Sequence, residues 1–476
     1  MTKVSLRNNA VNVCKECEQA GLNCADRQKC APVRRNEFRN YSGVRLTADG
    51  FDCALPVTID SHSSCAYECL YCFSDNIIGH SNMSKALGRT SIAMLEGIFS
   101  GRATAGAEKF RKALRYDKRN AAGFPCPVQL GGLCDPCDSI EQNSGWLLDF
   151  MRMVTKYDQP VRMSTKGAIF HIPEYMAAIS RKPHLFWVAF SINCNDDRLI
   201  EQTDRFTPNT TKRLATMRML AKAGVSTSLR LRPIIQGITD YKRGHIDLIK
   251  RAADAGARAI SYEVMFYPMT VPKANRWKYA RLNQLAGVDL AATYKKFGRS
   301  MACMRPSAAY TENIMHEIAE VARACGLVIG VSDPVWKQLS EVGCCCGIRP
   351  DDPVFGNWEP ENMTNAIVRA RDTKDPRIYL RDIVPPWSLD TRMIDLCAGK
   401  VGPTAVFENR HKTWADNLRT IWNNPSKQRS PMNYLQGAVQ LDGEDEEGNY
   451  IYKYVGLKRT KTHDNESKNK NQHPAI

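Results

Sequence analysis

From residue 126 to 331 the chain repeats one unit: a short apolar run, a helix-period stretch, a glycine, and another apolar run. The runs are Cys126–Leu130, Val161–Thr165, Leu185–Asn193, Val225–Arg232, Ala257–Met265 and Leu327–Val331, and Asp52–Ile59 precedes them. Between them fall helix patterns at roughly 171–181, 211–224, 245–256 and 309–325, with Gly224, Gly256 and Gly326 as stops. A further helix is expected after Asp138 or Ser139, running to Met151 or beyond, and 80–122 is basic and helix-prone. Strands that alternate with helices pair in parallel, because each crossover returns the chain to the same end of the sheet. The unit therefore predicts an α/β fold, a parallel barrel or partial barrel, with functional groups gathered at the strand C-termini. The near-continuous apolar character of Leu185–Asn193 suits a buried parallel strand.

One stretch stands at such a C-terminus. Cys65-Ala-Tyr-Glu-Cys69-Leu-Tyr-Cys72 holds three thiols at spacings of four and three. Thiolates so close on one loop converge on an iron–sulfur cluster or a metal ion, and soft sulfur favours iron–sulfur or zinc. Three ligands are one short of the usual four, so one metal position is left open for chemistry. A zinc knuckle or three buried thiols are the plainer alternatives. Gly131, Gly132, Lys166, Ser191 and Asn193 also fall at predicted strand ends. Paired glycines admit a ligand close to the backbone, since no Cβ intervenes.

The chain has 476 residues, 43% of them hydrophobic, enough for one barrel-sized domain with additions. It shows no apolar run of membrane-spanning length and no apolar leader, so a cytoplasmic protein is expected. Eighteen cysteines then point to reduced thiols and metal ligation rather than disulfides. A formal net charge of +16 favours an anionic partner, nucleic acid or nucleotide, although a basic tail and solvated helix faces also contribute to it.

Four segments are expected. Residues 1–45 are Cys-rich, and Cys14, Cys17, Cys24 and Cys30 suffice for a structural zinc or an auxiliary cluster; the bland alternative is free thiols in a flexible arm. Residues 46–331 form the barrel, and 332–452 a C-terminal extension that loses the repeat. Residues 453–476 are a basic, polar tail expected to be disordered. Cys344, Cys345 and Cys346 adjoin the last strand and are a speculative further metal site, with Cys325 as an added ligand. Side chains alternate along a strand, so a turn is needed to bring two of the three together.

The C-x3-C-x2-C motif, with an aromatic before its third cysteine, resembles the signature of the radical S-adenosylmethionine (SAM) superfamily. The runs LGGLCDPCDSIE at 130–141, VRMSTKG at 161–167 and the stretch from 190 to 235 resemble its spore photoproduct lyase, or DNA repair photolyase-like, branch. The likeness covers roughly residues 52–265. It implies a partial parallel (β/α)6 TIM-type barrel of the radical SAM kind. It also implies a [4Fe–4S] cluster on Cys65, Cys69 and Cys72, with SAM at the open iron. SAM would be cleaved reductively to methionine and a 5'-deoxyadenosyl radical.

By the same resemblance Tyr71 lies near the adenine and the Gly131–Gly132 backbone binds the SAM amino group. Lys166 lies near the carboxylate, Ser191 and Asn193 touch SAM, and Arg232 reaches its ribose or carboxylate. Cys134 falls near the family's hydrogen-atom donor. The implied chemistry is hydrogen abstraction from a nucleic acid base or nucleotide, in lesion repair or base modification, with a reductant such as flavodoxin or ferredoxin. The N-terminal cysteines, the long basic insert and Cys344–Cys346 depart from that branch. They keep open a radical SAM enzyme of peptides or small metabolites that uses auxiliary clusters. A zinc-containing nucleic-acid-binding protein without catalysis is the third reading.

Overall fold

Eight strands make the central sheet, side by side in the order in which they occur along the chain: β1 (Val44–Leu46), β2 (Val57–Ile59), β3 (Val128–Leu130), β4 (Val161–Thr165), β5 (Phe186–Ser191), β6 (Ser226–Ile234), β7 (Ala257–Val264) and β8 (Val328–Val331). β1 runs antiparallel to β2, and every other neighbouring pair is parallel. β1 and β8 are edges, so this is a partial barrel rather than a closed one. It has seven parallel strands where six units were expected, because the Leu327–Val331 run joins the same sheet. The sheet also starts earlier than residue 46, at Val44. This computed structural model describes residues 38–46, 52–74, 87–102, 105–116, 118–240, 242–296, 303–356, 358, 360–392, 411–427 and 429–457. Cys14, Cys17, Cys24 and Cys30, and the tail from 458, lie outside the described residues.

The connections are α1 (Ile92–Phe99), α2 (Ala105–Ala113), α3 (Trp146–Lys156), α4 (Pro173–Ile179), α5 (Thr210–Lys222), α6 (Lys242–Asp254) and α7 (Ala308–Ala324). Local chemistry sets their limits. Ser91, Asn209 and Ser307 accept hydrogen bonds from the first-turn N–H groups of α1, α5 and α7. The predicted helix after Asp138 is two: Asp138 caps a short one, Ser139–Ser144, and Gly145 at φ +61° turns the chain into α3. No helix among the described residues is long and apolar enough to cross a membrane.

The alternation along the strands separates two faces. Val57, Ile59, Val161, Met163, Phe186, Val188, Phe190, Leu229, Leu231, Ile260 and Tyr262 join one apolar core with helix residues such as Trp146, Leu214, Met217 and Ile318. Their sequence neighbours Thr58, Arg162, Ser164, Ser191, Ser228, Arg230, Arg232, Ser261 and Glu263 lie on the opposite, polar face. Helices pack on the apolar face, so the polar face is the inside of the partial barrel.

The C-terminal extension shares that core. Met363 and Ile367 of α8 (Met363–Asp372), and Trp414 and Trp422 of α9 (Trp414–Trp422), pack in it with Tyr452. Tyr452 sits in a small antiparallel sheet of Arg377–Ile378, Val439–Glu444 and Tyr450–Tyr454. Lys453 pairs with both neighbouring strands, so order extends past the expected boundary at 453.

Gly131 illustrates how tightly the strand ends are built. Its φ is +81°, and an added Cβ would stand 2.7 Å from the Ser164 carbonyl oxygen. Gly131→Ala is therefore expected to destabilise the fold by about 1–3 kcal/mol, measured by denaturant titration.

Candidate functional site

The three-cysteine loop leaves β2 at its C-terminal end and is fastened from two sides. On one side the strand Glu68–Cys69 pairs antiparallel with Asp204–Arg205, and the Leu70 N–H donates to the Thr203 carbonyl at 2.9 Å. On the other, the Ala66 N–H donates to Asp138 at 2.6 Å. Asp138 caps the short helix in the 130–141 run, so it joins two of the stretches singled out in the sequence. Cys69 is buried; Cys65 and Cys72 are half-buried. Burial pushes the Cys65 thiol up, and the charges of Asp138, Asp135, Cys69 and Cys72 add to it; the Cys72 N–H donates to the Cys69 carbonyl at 3.3 Å, and Cys65 and Cys72 pack against the apolar cluster that holds Cys69. Burial likewise raises Cys69, against the attraction of Lys166.

Beside Cys69 lies a buried ionic network that sequence reasoning missed. Asp204 accepts from Lys166 Nζ at 2.9 Å and from Arg213 Nη1 at 3.0 Å, and the Tyr71 hydroxyl donates to it. Lys166 also reaches the Tyr71 oxygen at 2.5 Å and lies over its ring, 4.8 Å from the centroid. Burial alone would raise the Asp204 carboxyl, but Lys166 and Arg213 outweigh it and hold it below the usual range. The lysine and tyrosine expected at the SAM carboxylate and adenine are thus both committed to one carboxylate. Asp204 lies within the 190–235 stretch that carries the resemblance, but nothing in its local sequence assigned it a role.

The second strand-end loop is organised by two more aspartates. Asp60, fully buried and paired with Arg45, accepts from the N–H groups of Gly132 at 2.8 Å and Leu133 at 2.7 Å. The Gly131 N–H donates to the Ile59 carbonyl. Asp135 accepts from Thr165 Oγ1 at 2.7 Å and the Lys166 N–H at 2.6 Å, tying the loop to the end of β4. The glycine N–H groups are thereby used within the protein. An ammonium, which only donates, would have to take their carbonyl oxygens.

Cys134 is buried between Asp60 and Ser61, with Ser61 Oγ at 3.4 Å. Burial, with the Asp60 charge, pushes its thiol up and keeps it protonated. From Ser61 a chain of hydrogen bonds continues inward: His62 Nδ1 at 3.0 Å, then from His62 Nε2 to Ser144 Oγ at 3.0 Å, to Glu141 at 3.0 Å, and to Tyr175 at 2.7 Å. Burial, helped by Arg89, lowers His62 to about 3, so it is neutral. Cys137 faces elsewhere, 3.8 Å from the Met163 sulfur.

The end of β5 supplies Ser191, whose hydroxyl accepts from Arg230 Nη1 at 3.3 Å, and Asn193. Asn193 is fully buried, and neither its amide oxygen nor its nitrogen has a partner among the described residues. Arg232 is not free either; it pairs with Glu263.

A donor and an acceptor orphaned together ask for a ligand that both accepts and donates. SAM offers such groups in its amino-acid part and in its adenine. Three neighbouring soft thiols beside an open polar face suit a cluster with one free iron. By donor chemistry the residues present fit a cluster and SAM: three thiols on one loop, and a buried amide with no partner among the described residues.

No family model and no curated protein matches this chain. Among solved structures it is similar to a spore photoproduct lyase double mutant with bound AdoMet and dinucleoside spore photoproduct, at 16% identity and a TM-score of 0.42, over 66% of this chain and 90% of that one. It is similar to spore photoproduct lyase complexed with dinucleoside spore photoproduct at 16% identity and a TM-score of 0.43, over 66% and 92%. The radical SAM methyltransferase TsrM from Kitasatospora setae, with tryptophan and a SAM analogue bound, shares 10% identity at a TM-score of 0.33, over 66% and 61%.

Proposed function

We propose that this chain is a radical SAM enzyme acting on a nucleic acid base or nucleotide. The observation that carries the reading is the three-thiol loop at the C-terminal end of β2, held by Asp138 and by the strand Asp204–Arg205, together with the buried Asn193 just past β5, whose amide has no partner among the described residues. A [4Fe–4S] cluster on Cys65, Cys69 and Cys72 would supply, with SAM bound, reductive cleavage to methionine and a 5'-deoxyadenosyl radical. The chain's own residues do the rest. Asp204 fixes Tyr71 and Lys166 in one orientation, so neither has to be ordered when SAM arrives. Asn193 and Ser191 would orient bound SAM from the end of β5, and the carbonyls of Gly131 and Gly132 would take its ammonium. Cys134, protonated and buried, would return a hydrogen atom to a substrate radical; Ser61, 3.4 Å from its sulfur, begins the bonded chain that ends at Tyr175. The reductant would be a small electron carrier such as flavodoxin or ferredoxin.

The substrate class is supported by the net charge and by the rim of the site. Arg205, which pairs with Glu68 of the cysteine loop at 3.2 Å, lies over both the Phe206 and Trp277 rings, 5.1 and 5.2 Å from their centroids. Phe206 is 40% exposed, Trp277 45% and Phe73 58%. Two exposed rings against one guanidinium, Phe206 and Trp277 on Arg205, suit stacking of unpaired bases. Trp277→Ala is expected to weaken binding of a single-stranded oligonucleotide by about 1–3 kcal/mol, roughly 5- to 150-fold. Fluorescence anisotropy over a salt series measures it, with affinity falling as salt rises. No measurable oligonucleotide affinity, with intact SAM cleavage, would move the substrate to a peptide or small metabolite. The reading as a whole is tested by 5'-deoxyadenosine formation from the anaerobically reconstituted, reduced protein. Zinc at the three thiols and no SAM binding would sink it.

A further inference from the structure

Inside the partial barrel, two guanidiniums share one wall. Arg162 of β4 is only 2% exposed and donates to the Ser164 hydroxyl, on the same strand and the same face. Arg230 of β6 donates across to the Ser191 hydroxyl of β5 at 3.3 Å. The strand register sets how close these anchors are. Ser164 stands opposite Ala189, and Ser191 is two residues further along β5, opposite Arg230. One strand spacing and two residues of rise put the two serines about 8 Å apart on one face. Both serines are neutral partners, and the Nε atoms of Arg162 and Arg230 are buried without a partner among the described residues. Arg232, two residues on from Arg230, differs, because Glu263 neutralises it. Buried cations held only by neutral groups are costly unless an anion joins them.

The space around them has a floor and a mouth. Trp187, level with Arg162 on the neighbouring strand, packs with Ala259, Cys344, Cys346, Ile348 and Phe355. The Cys344–Gly347 turn, closed by a 3.0 Å bond from the Gly347 N–H to the Cys344 carbonyl, lies on the inner face of β7 and β8. A Cβ at Gly330 would stand 2.5 Å from Gly347 N, and one at Gly347 2.5 Å from the Ala259 Cβ. This apolar plug closes the end of the barrel where the strands start. Cys325, expected from sequence beside Cys344–Cys346, instead packs in the helix-facing core. Toward the strand C-termini the same face stays open. Arg230 is half-buried there, and the Arg232 and Glu263 side chains are 26% and 18% exposed.

We propose that Arg162 and Arg230 bind a phosphate monoester inside the barrel, so that the substrate is a nucleotide with a terminal phosphate. Guanidiniums only donate and phosphate oxygens accept, so the two match fork to fork, with the orphaned Nε atoms among the donors. Charge selects the ligand. SAM carries a sulfonium and an ammonium against one carboxylate, so it would add to the positive surplus. A phosphate monoester carries about −1.5 to −2 at pH 7, which offsets two guanidiniums. A phosphodiester has a single charge, and its chain continues on both sides, for which the plugged end leaves no path. The identity of the molecule that carries the phosphate rests on the function proposed above; the anion subsite does not.

The test is calorimetric titration of the full-length wild-type chain, without SAM or reductant, with the common deoxy- and ribonucleoside 5'-monophosphates and their matching nucleosides. At least one monophosphate is expected to bind about 10- to 150-fold more tightly than its nucleoside. No monophosphate binding more tightly than its nucleoside overturns the proposal before any variant has to fold. Formation of 5'-deoxyadenosine, measured separately, then still decides the radical reading. Arg162→Gln is expected to erase the preference and to unfold at no lower denaturant concentration than wild type, because it removes a buried charge that lacks a counter-ion. A preference that survives Arg162→Gln places the phosphate elsewhere on this basic chain and overturns the subsite. A marked loss of stability makes Arg162 a structural donor and also overturns it. So does a fall in SAM affinity with nucleotide binding intact, which assigns the anion to the SAM carboxylate.

Discussion

Replacing Cys65, Cys69 and Cys72 together by alanine is expected to abolish 5'-deoxyadenosine formation, by at least about a thousandfold relative to the reconstituted, reduced wild type. The size follows from the chemistry. On the proposed function, the variant lacks the ligands of the cluster that would deliver one electron to SAM. Anaerobic incubation with SAM and dithionite, followed by chromatography of the nucleoside product, measures it. Equal product from both proteins would remove the cysteine loop from catalysis. Product from neither, from wild type loaded with iron and sulfide, would remove SAM cleavage itself. The control is structural: Cys69 is buried with Tyr67, Leu70 and Tyr71 in a small apolar cluster, so circular dichroism must show that the alanine chain has folded.

The second large effect is on stability. Asp204→Asn is expected to cost about 3–5 kcal/mol of unfolding free energy, read by denaturant titration. Asparagine keeps the shape but not the charge, and Lys166 and Arg213 are then buried without a counter-ion. The Arg213 side chain is fully buried and that of Lys166 largely so, which leaves water little access to screen them. Tyr71→Phe, which removes a single hydrogen bond in the same network, should cost only about 1 kcal/mol. A loss for Asp204→Asn no larger than that of Tyr71→Phe would mean that the network is not electrostatically essential. Iron retention should fall with stability in Asp204→Asn, because the carboxylate anchors the loop through Tyr71.

Much of the fold was legible because its signals are local. Strands β2 to β8 all coincide with the apolar runs, β6 continuing two residues past its run to Ile234, and Gly224, Gly256 and Gly326 end their helices with positive φ, a conformation glycine adopts without strain. The break at Gly145 was not read, because a capped four-turn pattern and two shorter helices share the same periodicity. The small sheet around Tyr452 was missed because its strands are brief and lie far apart in the chain.

The site divides along the same line. The residues 65–72 fixed by themselves that three soft ligands share one loop, since spacing is a covalent property. They also fixed where that loop starts, because β2 precedes it. What surrounds the loop came only from tertiary structure. Asp204 meets Tyr71 across 133 positions, and Asp138 meets Ala66 across 72. Aspartates are common in loops and on surfaces, so nothing in their local sequence distinguishes one that will be buried against a lysine and an arginine. That distinction arises only when β4, β5 and the helix after β5 bring three charges together and exclude water, which makes each of them depend on the other two.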